Sequence, residues 1–277
     1  MIFVTDKGRL CNNILQYGHL YAWGREHGKK TISMRFAYKY KEFAISHTRY
    51  HNWLVYVLAK YAARCGIIPT VKFNEADGDY RDEEQVMMTK PLVLAKGWFV
   101  RYYDLFDKYR DEIVRLFEFS PKVRRRAERR LATTHPDAVR VGVHIRRGDY
   151  ATWSGGHYYY TDEQYLTTIN QFIQLMSDKK VEVFICGNDP KLDRLYYRRM
   201  LGAENVHFPD GKPTEDLCLF SQCDYLIGPP STFTLVASMY RDTPLHWIVD
   251  VNAPLSLDSF QLFSHLYRTF DGLYIPS

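Results

Sequence analysis

The sequence predicts an α/β protein with parallel sheets. Short apolar runs that suit buried strands alternate with longer segments whose apolar residues recur at helical spacing, the pattern of β-α-β units. This alternation occurs in residues 1–136 and again in residues 137–277, and His135-Pro136-Asp137 interrupts the intervening helix. We therefore expect two Rossmann-like domains with a boundary after residue 136.

Composition is that of an ordinary globular protein. The 277 residues can bury a sizeable core, with 46% hydrophobic and 25% charged residues. The net charge of +5 fits an anionic small molecule, a membrane surface or nucleic acid equally well. Five cysteines without a disulfide framework spacing indicate a reducing compartment.

The densest polar group follows a run of β-branched residues at 139–145. His144, Arg146, Arg147 and Asp149 come where a parallel strand would leave its sheet, the edge at which α/β proteins bind ligands. Adjacent arginines there suit phosphate oxygens, because the guanidinium stays charged and binds in a planar fork. Pairing with carboxylates such as Asp149 at the surface is the competing interpretation.

A second polar turn follows the predicted strand at 225–228. Pro229 and Pro230 stiffen its exit, and Ser231 and Thr232 then place hydroxyls and free N–H groups at a helix N-terminus. Such a terminus binds phosphate readily. Simple capping by Ser231 is the alternative.

His144-Ile-Arg-Arg-Gly-Asp-Tyr150 resembles the His-x-Arg-Arg-x-Asp-Tyr signature of α-1,2-fucosyltransferases, glycosyltransferase family 11. Residues 8–13, 97–103 and 215–237 resemble other segments of that family. The resemblance implies two Rossmann-like domains facing across a cleft, the GT-B type. An N-terminal domain would hold a glycan acceptor and a C-terminal domain GDP-fucose. L-Fucose would then move with inversion to an acceptor hydroxyl, α-1,2 to galactose.

The resemblance also assigns roles to particular residues. His144 and Asp216 would contact the guanine, and Asn12 the acceptor or a phosphate, although Asn12 and Asp189 also suit helix N-caps. Asp149 is the first candidate for the base on the acceptor hydroxyl, and Asp6 the second. No metal and no cofactor besides the donor substrate are expected. The predicted nucleotide-binding residues are His144, Arg146, Arg147, Asp189, Asp216, Ser231, Thr232 and Phe233, and the predicted catalytic residues are Arg146, Asp149 and Asn12.

Three further expectations concern partners and location. A basic helix at 122–130 reads as a solvated face, with peripheral membrane contact as the alternative. The absence of a signal peptide or a long apolar run predicts a cytoplasmic enzyme, bacterial or viral, or a trimmed chain. Asp77-Gly-Asp79 resembles a metal ligand of another glycosyltransferase class, but its polar surroundings favour a solvated loop.

Two other functions compete with this interpretation. One is a glycosyltransferase of the same superfamily that makes another fucose linkage or uses another sugar nucleotide. The other is a nucleic-acid-binding protein, because a basic helix is attracted to phosphate backbones. The family resemblance favours a nucleotide-sugar donor and a glycan acceptor, without nucleic acid.

Overall fold

The structure, a computed structural model, describes residues 1–5, 7–76 and 78–270. It divides into two compact units, Met1–Ser120 and Pro121–Ser277. The boundary predicted after residue 136 therefore differs from the observed division, which falls before the basic helix. The physical reason is packing, because Arg126 on that helix pairs with the buried Glu215 of the second unit.

The first unit is built on a parallel sheet. Its strands are β1 (Ile2–Val4), β2 (Thr31–Ser33), β3 (Thr70–Phe73) and β4 (Val93–Gly97), in the order β2-β1-β4-β3. Its helices are α1 (Leu10–Glu26), α2 (Met34–Tyr38), α3 (Trp53–Arg64), α4 (Arg81–Thr89), α5 (Tyr103–Lys108) and α6 (Arg110–Leu116). Helix α1 is buried along most of its length, because apolar residues occupy nearly every side of it.

The second unit repeats this design. Its helices are α7 (Pro121–Leu131), α8 (Asp162–Leu175), α9 (Arg194–Leu201), α10 (Pro213–Phe220), α11 (Thr232–Met239) and α12 (Phe263–Thr269). Its strands are β5 (Val139–Ile145), β6 (Val181–Gly187), β7 (Val206–His207), β8 (Tyr225–Gly228) and β9 (Leu245–Trp247), all parallel in the order β7-β6-β5-β8-β9. The predicted α/β class with two Rossmann-like halves is confirmed.

The strand order of the second unit places its binding edge. The chain adds β6 and β7 on one side of β5, then returns to add β8 and β9 on the other side. The carboxyl ends of β5 and β8 therefore form a topological switch point, where doubly wound sheets bind their ligands. Both polar segments singled out from the sequence begin there.

Within residues 1–5, 7–76 and 78–270, no helix is both long and apolar enough to traverse a bilayer.

Candidate active site

The switch point brings two distant segments together. His144 lies near the end of β5, and its Nδ1 is 3.4 Å from the hydroxyl of Ser231, just after β8. Gly228 permits this approach, because a Cβ at that position would lie 3.0 Å from the His144 carbonyl oxygen. The Tyr150 hydroxyl donates to the carbonyl of Pro230 and so ties the β5 loop to the β8 turn.

Ser231 begins helix α11 as its N-cap. Its hydroxyl accepts from the backbone N–H of Thr234 at 3.4 Å, so the capping interpretation holds. The same hydroxyl also faces His144, and the first turn of α11 presents backbone N–H donors at the positive end of the helix, where an anion can bind. The cap and the phosphate site are therefore compatible uses of this turn.

His144 is buried and uncharged. Its ring stacks on Phe233 with a centroid distance of 4.7 Å and meets the edge of Phe220. Burial, and then the neighbouring guanidinium of Arg146, lower the pKa of His144 to about 3. The imidazole is therefore neutral at working pH and offers one donor and one acceptor nitrogen.

Arg146 is held in a defined orientation at the strand end. Its Nε and Nη2 donate to the two carboxylate oxygens of Asp149 at 3.2 and 2.7 Å, and its guanidinium lies 4.9 Å from the centre of the Tyr150 ring. Asn188 supports the carboxylate with an amide hydrogen bond of 3.2 Å. The Nη1 of Arg146 has no protein acceptor in the described part of the chain, which leaves it available to an anion.

Arg147 points the other way, into the protein. It is 7% exposed, and its Nε donates to the carbonyl of Tyr160 at 3.0 Å. Its Nη1 and Nη2 donate to Asp189 at 3.2 Å and to Asp162 at 2.6 Å. The side chains of Arg147 and Asp189, both predicted to bind the nucleotide, instead take part in a buried ion-pair cluster that anchors the loop. The N-cap alternative for Asp189 is also wrong, since Asp193 caps α9.

Asp216 lies on α10 at the same sheet edge. Its carboxyl neighbours Cys186, the β6 residue in register with His144. Its Oδ1 is buried without a hydrogen bond, 3.7 Å from the Nη1 of Arg130. Burial raises the pKa of Asp216 to about 7, although Arg130 opposes the shift. A carboxylate of this kind is poised to accept a hydrogen bond from a ligand.

Two acids of α10, Glu215 and Asp216, lie against part of the basic helix α7. Arg126 pairs with Glu215, and Arg130 lies near both Glu215 and Asp216. Lys122 and Arg125 remain on its exposed side. The solvated-face interpretation therefore describes only part of this helix.

The β1–α1 loop of the first unit contains the predicted Asn12. Helix α1 begins after Arg9, so the N-cap alternative for Asn12 is wrong. Asn12 lies instead inside the helix, against Gly8. The neighbouring Asn13 fixes the loop, because its side chain bonds the N–H of Lys7 at 2.8 Å and the carbonyls of Lys7 and Arg9 at 2.9 and 2.6 Å. Sequence reasoning missed Asn13, although it replaces the glutamine of the family segment.

The remaining acids considered from the sequence are Asp6, Asp77 and Asp79. Asp6 and Asp77 lie outside the described residues. Asp79 pairs with Arg81 on an exposed loop, as a solvated loop would require. Among the described residues, no group of three histidine, cysteine or acidic side chains could hold a metal ion.

A cavity opens at the carboxyl ends of β3 and β4. It has a volume of about 290 Å³. Gly97 lets the two strands end side by side, since it has a φ of +118° and a Cβ there would lie 2.1 Å from the Phe73 carbonyl oxygen. The lining includes four aromatic rings and four charged side chains, namely Phe73, Tyr80, Phe99, Tyr102, Asp79, Arg81, Glu84 and Arg101. Aromatic walls with interspersed polar groups suit a sugar ring.

Comparison with known proteins gives a consistent family. The profile of Glycosyl transferase family 11 matches residues 92–244. Galactoside alpha-(1,2)-fucosyltransferase 2 from Oryctolagus cuniculus is 22% identical over 266 residues, which cover 91% of this chain and 70% of that protein.

Solved structures share the fold at low sequence identity. A FUT1 variant from Arabidopsis thaliana in complex with GDP aligns with a TM-score of 0.65 and 13% identity, covering 94% of this chain and 73% of that chain. NodZ alpha-1,6-fucosyltransferase co-crystallized with GDP aligns with a TM-score of 0.55 and 12% identity, covering 89% and 94%. POFUT1 in complex with GDP aligns at 0.53 and 11% identity, covering 87% and 94%.

The family profile spans more than half of the chain, and it includes both the Arg146 loop and the Ser231 turn. The chain therefore belongs to glycosyl transferase family 11.

Proposed function

We propose that this glycosyltransferase moves L-fucose from GDP-fucose to a hydroxyl of a glycan acceptor, with inversion and α-1,2 to galactose. The observation that carries the proposal is the convergence of the segment 144–150, which includes Arg146, with the Ser231-capped helix at the switch point of the second sheet. The α-1,2 linkage is supported by the rabbit relative, a galactoside alpha-(1,2)-fucosyltransferase, and the nucleotide by the FUT1 variant and NodZ, whose solved structures contain GDP.

The guanine is assigned to His144 and Asp216. Guanine presents two adjacent N–H donors on one edge, and a carboxylate can accept both. Asp216 has a buried oxygen without a partner, and the neutral ring of His144 supplies a donor or an acceptor beside it. Adenine lacks this pair of donors, so the arrangement favours GDP over ADP.

The diphosphate is assigned to Arg146 and to the N-terminus of α11. Backbone N–H groups at Thr232 and Phe233 and the hydroxyl of Ser231 can bind phosphate oxygens. Arg146 adds a full positive charge through its Nη1. Together these groups can neutralise the charge that develops on the departing GDP, so we propose that the reaction needs no divalent ion.

Transfer requires one bond to form as another breaks. The acceptor oxygen attacks C1 of fucose from the face opposite the nucleotide, while the bond from C1 to the β-phosphate oxygen breaks. A base takes the hydroxyl proton. We assign Asp149 to positioning Arg146 rather than to this base, since both of its carboxylate oxygens already accept from Arg146.

Arg147 and Asp189 are assigned a supporting role behind this site. Their ion pair, shared with Asp162, holds the loop that carries Arg146. The acceptor sugar is assigned to the aromatic cavity at the ends of β3 and β4, and Asn12 remains a proposed acceptor contact.

A nucleotide panel with an arginine variant tests the proposal. GDP should raise the melting temperature more than UDP or ADP does. Arg146→Ala should lower fucosyl transfer by about 10²–10³-fold, the usual effect of removing one preorganised donor. Arg194→Ala is the matched control, because Arg194 pairs with Asp210 at the exposed surface. Preference for UDP or ADP, or full turnover by the Arg146 variant, would refute the assignment.

A further inference from the structure

Helix α3 displays an apolar face to solvent. Trp53, Leu54, Leu58 and Tyr61 are 65, 59, 61 and 56% exposed, and their spacing places them along one side of the helix. Ile67, just beyond the helix, is 75% exposed. We call these five residues the α3 stripe. Large apolar side chains that cluster at a surface mark an interaction site more often than isolated ones do.

The other side of α3 explains why the stripe is held in place. Ala59 is buried, and Val55, Ala62 and Ala63 pack against the core beside β1 and β2. Asn52 caps the helix by accepting from the N–H of Val55 at 3.1 Å. The helix is therefore apolar on two sides, with one side anchoring it and the other left open to solvent.

Within the chain segment that carries the stripe, the charged residues have one sign. No aspartate or glutamate occurs between Glu42 and Glu75, whereas Arg49, Lys60 and Arg64 are exposed in this interval. The segment therefore combines its apolar face with cations and contributes no acidic side chain. Such a combination of aromatic, aliphatic and basic side chains is typical of helices that lie in a membrane interface.

A cationic hollow adjoins the N-terminal end of α3. It has a volume of about 490 Å³ and is lined in part by Lys29, Lys30, Arg49 and Tyr50. Lys30 and Arg49 both lie over the Tyr50 ring, at 5.9 and 5.3 Å from its centre. Several cations around one hollow suit the phosphate of a lipid headgroup.

Two occupants of the α3 stripe can be compared on charge. A second copy of this chain would bring the same cations together, with no acid in the segment to compensate them. An anionic lipid surface complements those cations and solvates the apolar side chains. We propose that the protein docks peripherally on anionic phospholipid membranes through the α3 stripe and the cationic hollow. This inference goes beyond fucosyl transfer, because none of these residues belongs to the nucleotide site.

Vesicle binding by paired variants tests the proposal. The wild-type protein should sediment with vesicles that contain phosphatidylglycerol, and much less with pure phosphatidylcholine. Leu54→Ser with Leu58→Ser, and separately Lys60→Glu with Arg64→Glu, should each weaken binding by about tenfold or more. A fluorophore on Cys65, the one exposed thiol among the five cysteines, should shift to the blue when vesicles are added.

Matched controls come from the second unit. Leu195→Ser with Met200→Ser removes apolar side chains that are 78 and 51% exposed, and should leave vesicle binding unchanged. Lys122→Glu with Arg125→Glu reverses charges on α7 and should reduce binding much less than the Lys60 and Arg64 pair does.

Several outcomes would overturn the proposal. These are full vesicle binding by both α3 variants, a dominant loss in the α7 variant, or a dimer that the Leu54 and Leu58 changes dissociate without any vesicle binding. Fucosyl transfer to a soluble acceptor should persist in the α3 variants, so a failed docking test is distinguishable from a failed assignment of the reaction.

Discussion

Arg146 and Arg147 are adjacent in sequence and have opposite surroundings. Both fit a phosphate by residue type, and the sequence gives no reason to separate them. The acids that claim Arg147 come from distant positions, 15 and 42 residues along the chain. The partner of Arg146 is three residues away, so its pairing with Asp149 could be anticipated, as the surface ion-pair interpretation did. An ion-pair partner a few residues away can be predicted from the sequence, whereas a partner that only the fold brings close cannot.

The role of Asp149 can be tested through its coupling to Arg146. If Asp149 acts only by orienting Arg146, then Asp149→Asn combined with Arg146→Ala should cost no more activity than Arg146→Ala alone, because residues that act as a unit are not additive. Steady-state kinetics of both single variants and the double variant measure this. A further loss of about 10²-fold or more in the double variant would identify Asp149 as a general base instead.

Asp216 predicts a pH dependence of GDP binding. Only the ionised carboxylate accepts two hydrogen bonds from guanine, and burial raises the pKa of Asp216 to about 7. GDP affinity should therefore fall by about tenfold per pH unit below 7 and level off above it. Calorimetric titration from pH 5.5 to 8.5 measures this. The Asp216→Asn variant should bind GDP more weakly than the wild type at high pH, and its affinity should not change with pH apart from any contribution of the nucleotide phosphates. If the affinity of this variant keeps the pH slope of the wild type, the assignment is contradicted.

The raised pKa of Asp216 also makes folding stability depend on pH. Because folding raises the pKa of Asp216, the protonated carboxyl stabilises the apo protein fully below its ordinary pKa of 3.8, and this contribution is lost as pH rises through about 7. Above pH 7 the buried carboxylate is a cost. Asp216→Asn should therefore gain stability relative to the wild type as pH increases from 5 to 8, which urea unfolding at each pH can report.

Whole elements were predictable where their signals are strong. Thr161 and Gln164 form a capping box at the start of α8, a spacing that the sequence displays directly, and the β-branched run at 139–145 forms β5 as predicted. The mostly helical pattern from Tyr38 to Arg64 does not form one helix, because the chain buries Phe43 in a bridge with Phe119 and α3 starts only at Trp53, after its N-cap Asn52. Helical spacing alone cannot register such a tertiary contact.

The cluster around Arg147 joins three elements, and its removal should be costly. Arg147 links the β5 loop to the start of α8 and to the segment after β6. Arg147→Ala leaves Asp162 and Asp189 without their cation, so we expect a loss of about 3 kcal/mol in the free energy of unfolding. Arg194→Ala removes an exposed pair and should cost about 0–1 kcal/mol. If urea unfolding gives equal losses of unfolding free energy for the two variants, the buried cluster stabilises the fold no more than an exposed ion pair does.

Across the whole molecule, the alternation of strand and helix patterns predicted the α/β fold class but not the order of the strands in each sheet. Strands β5 and β8 are neighbours in the sheet and are separated by two other strands in the chain. Their adjacency creates the switch point that joins His144 to Ser231. Both residues were predicted to lie at strand ends, yet their contact depends on the pairing of two strands that are far apart in the chain, which residue patterns do not encode. The family resemblance, rather than residue spacing, predicted that His144 and Ser231 bind the same nucleotide.

Ligand binding should reveal this organisation as a pattern of protection. GDP at about 100 times its dissociation constant stabilises a binding-competent fold by about 2.7 kcal/mol, and the amides nearest the ligand should exchange most slowly. Hydrogen exchange measured by mass spectrometry should therefore slow at residues 144–150, 213–220 and 229–236. Helix α3 should exchange at the same rate with and without GDP, because the stripe binds no nucleotide. Protection that centres on the cationic hollow at residues 48–51 and leaves the β5 loop unchanged would move the nucleotide to the first unit and refute the site described for the second.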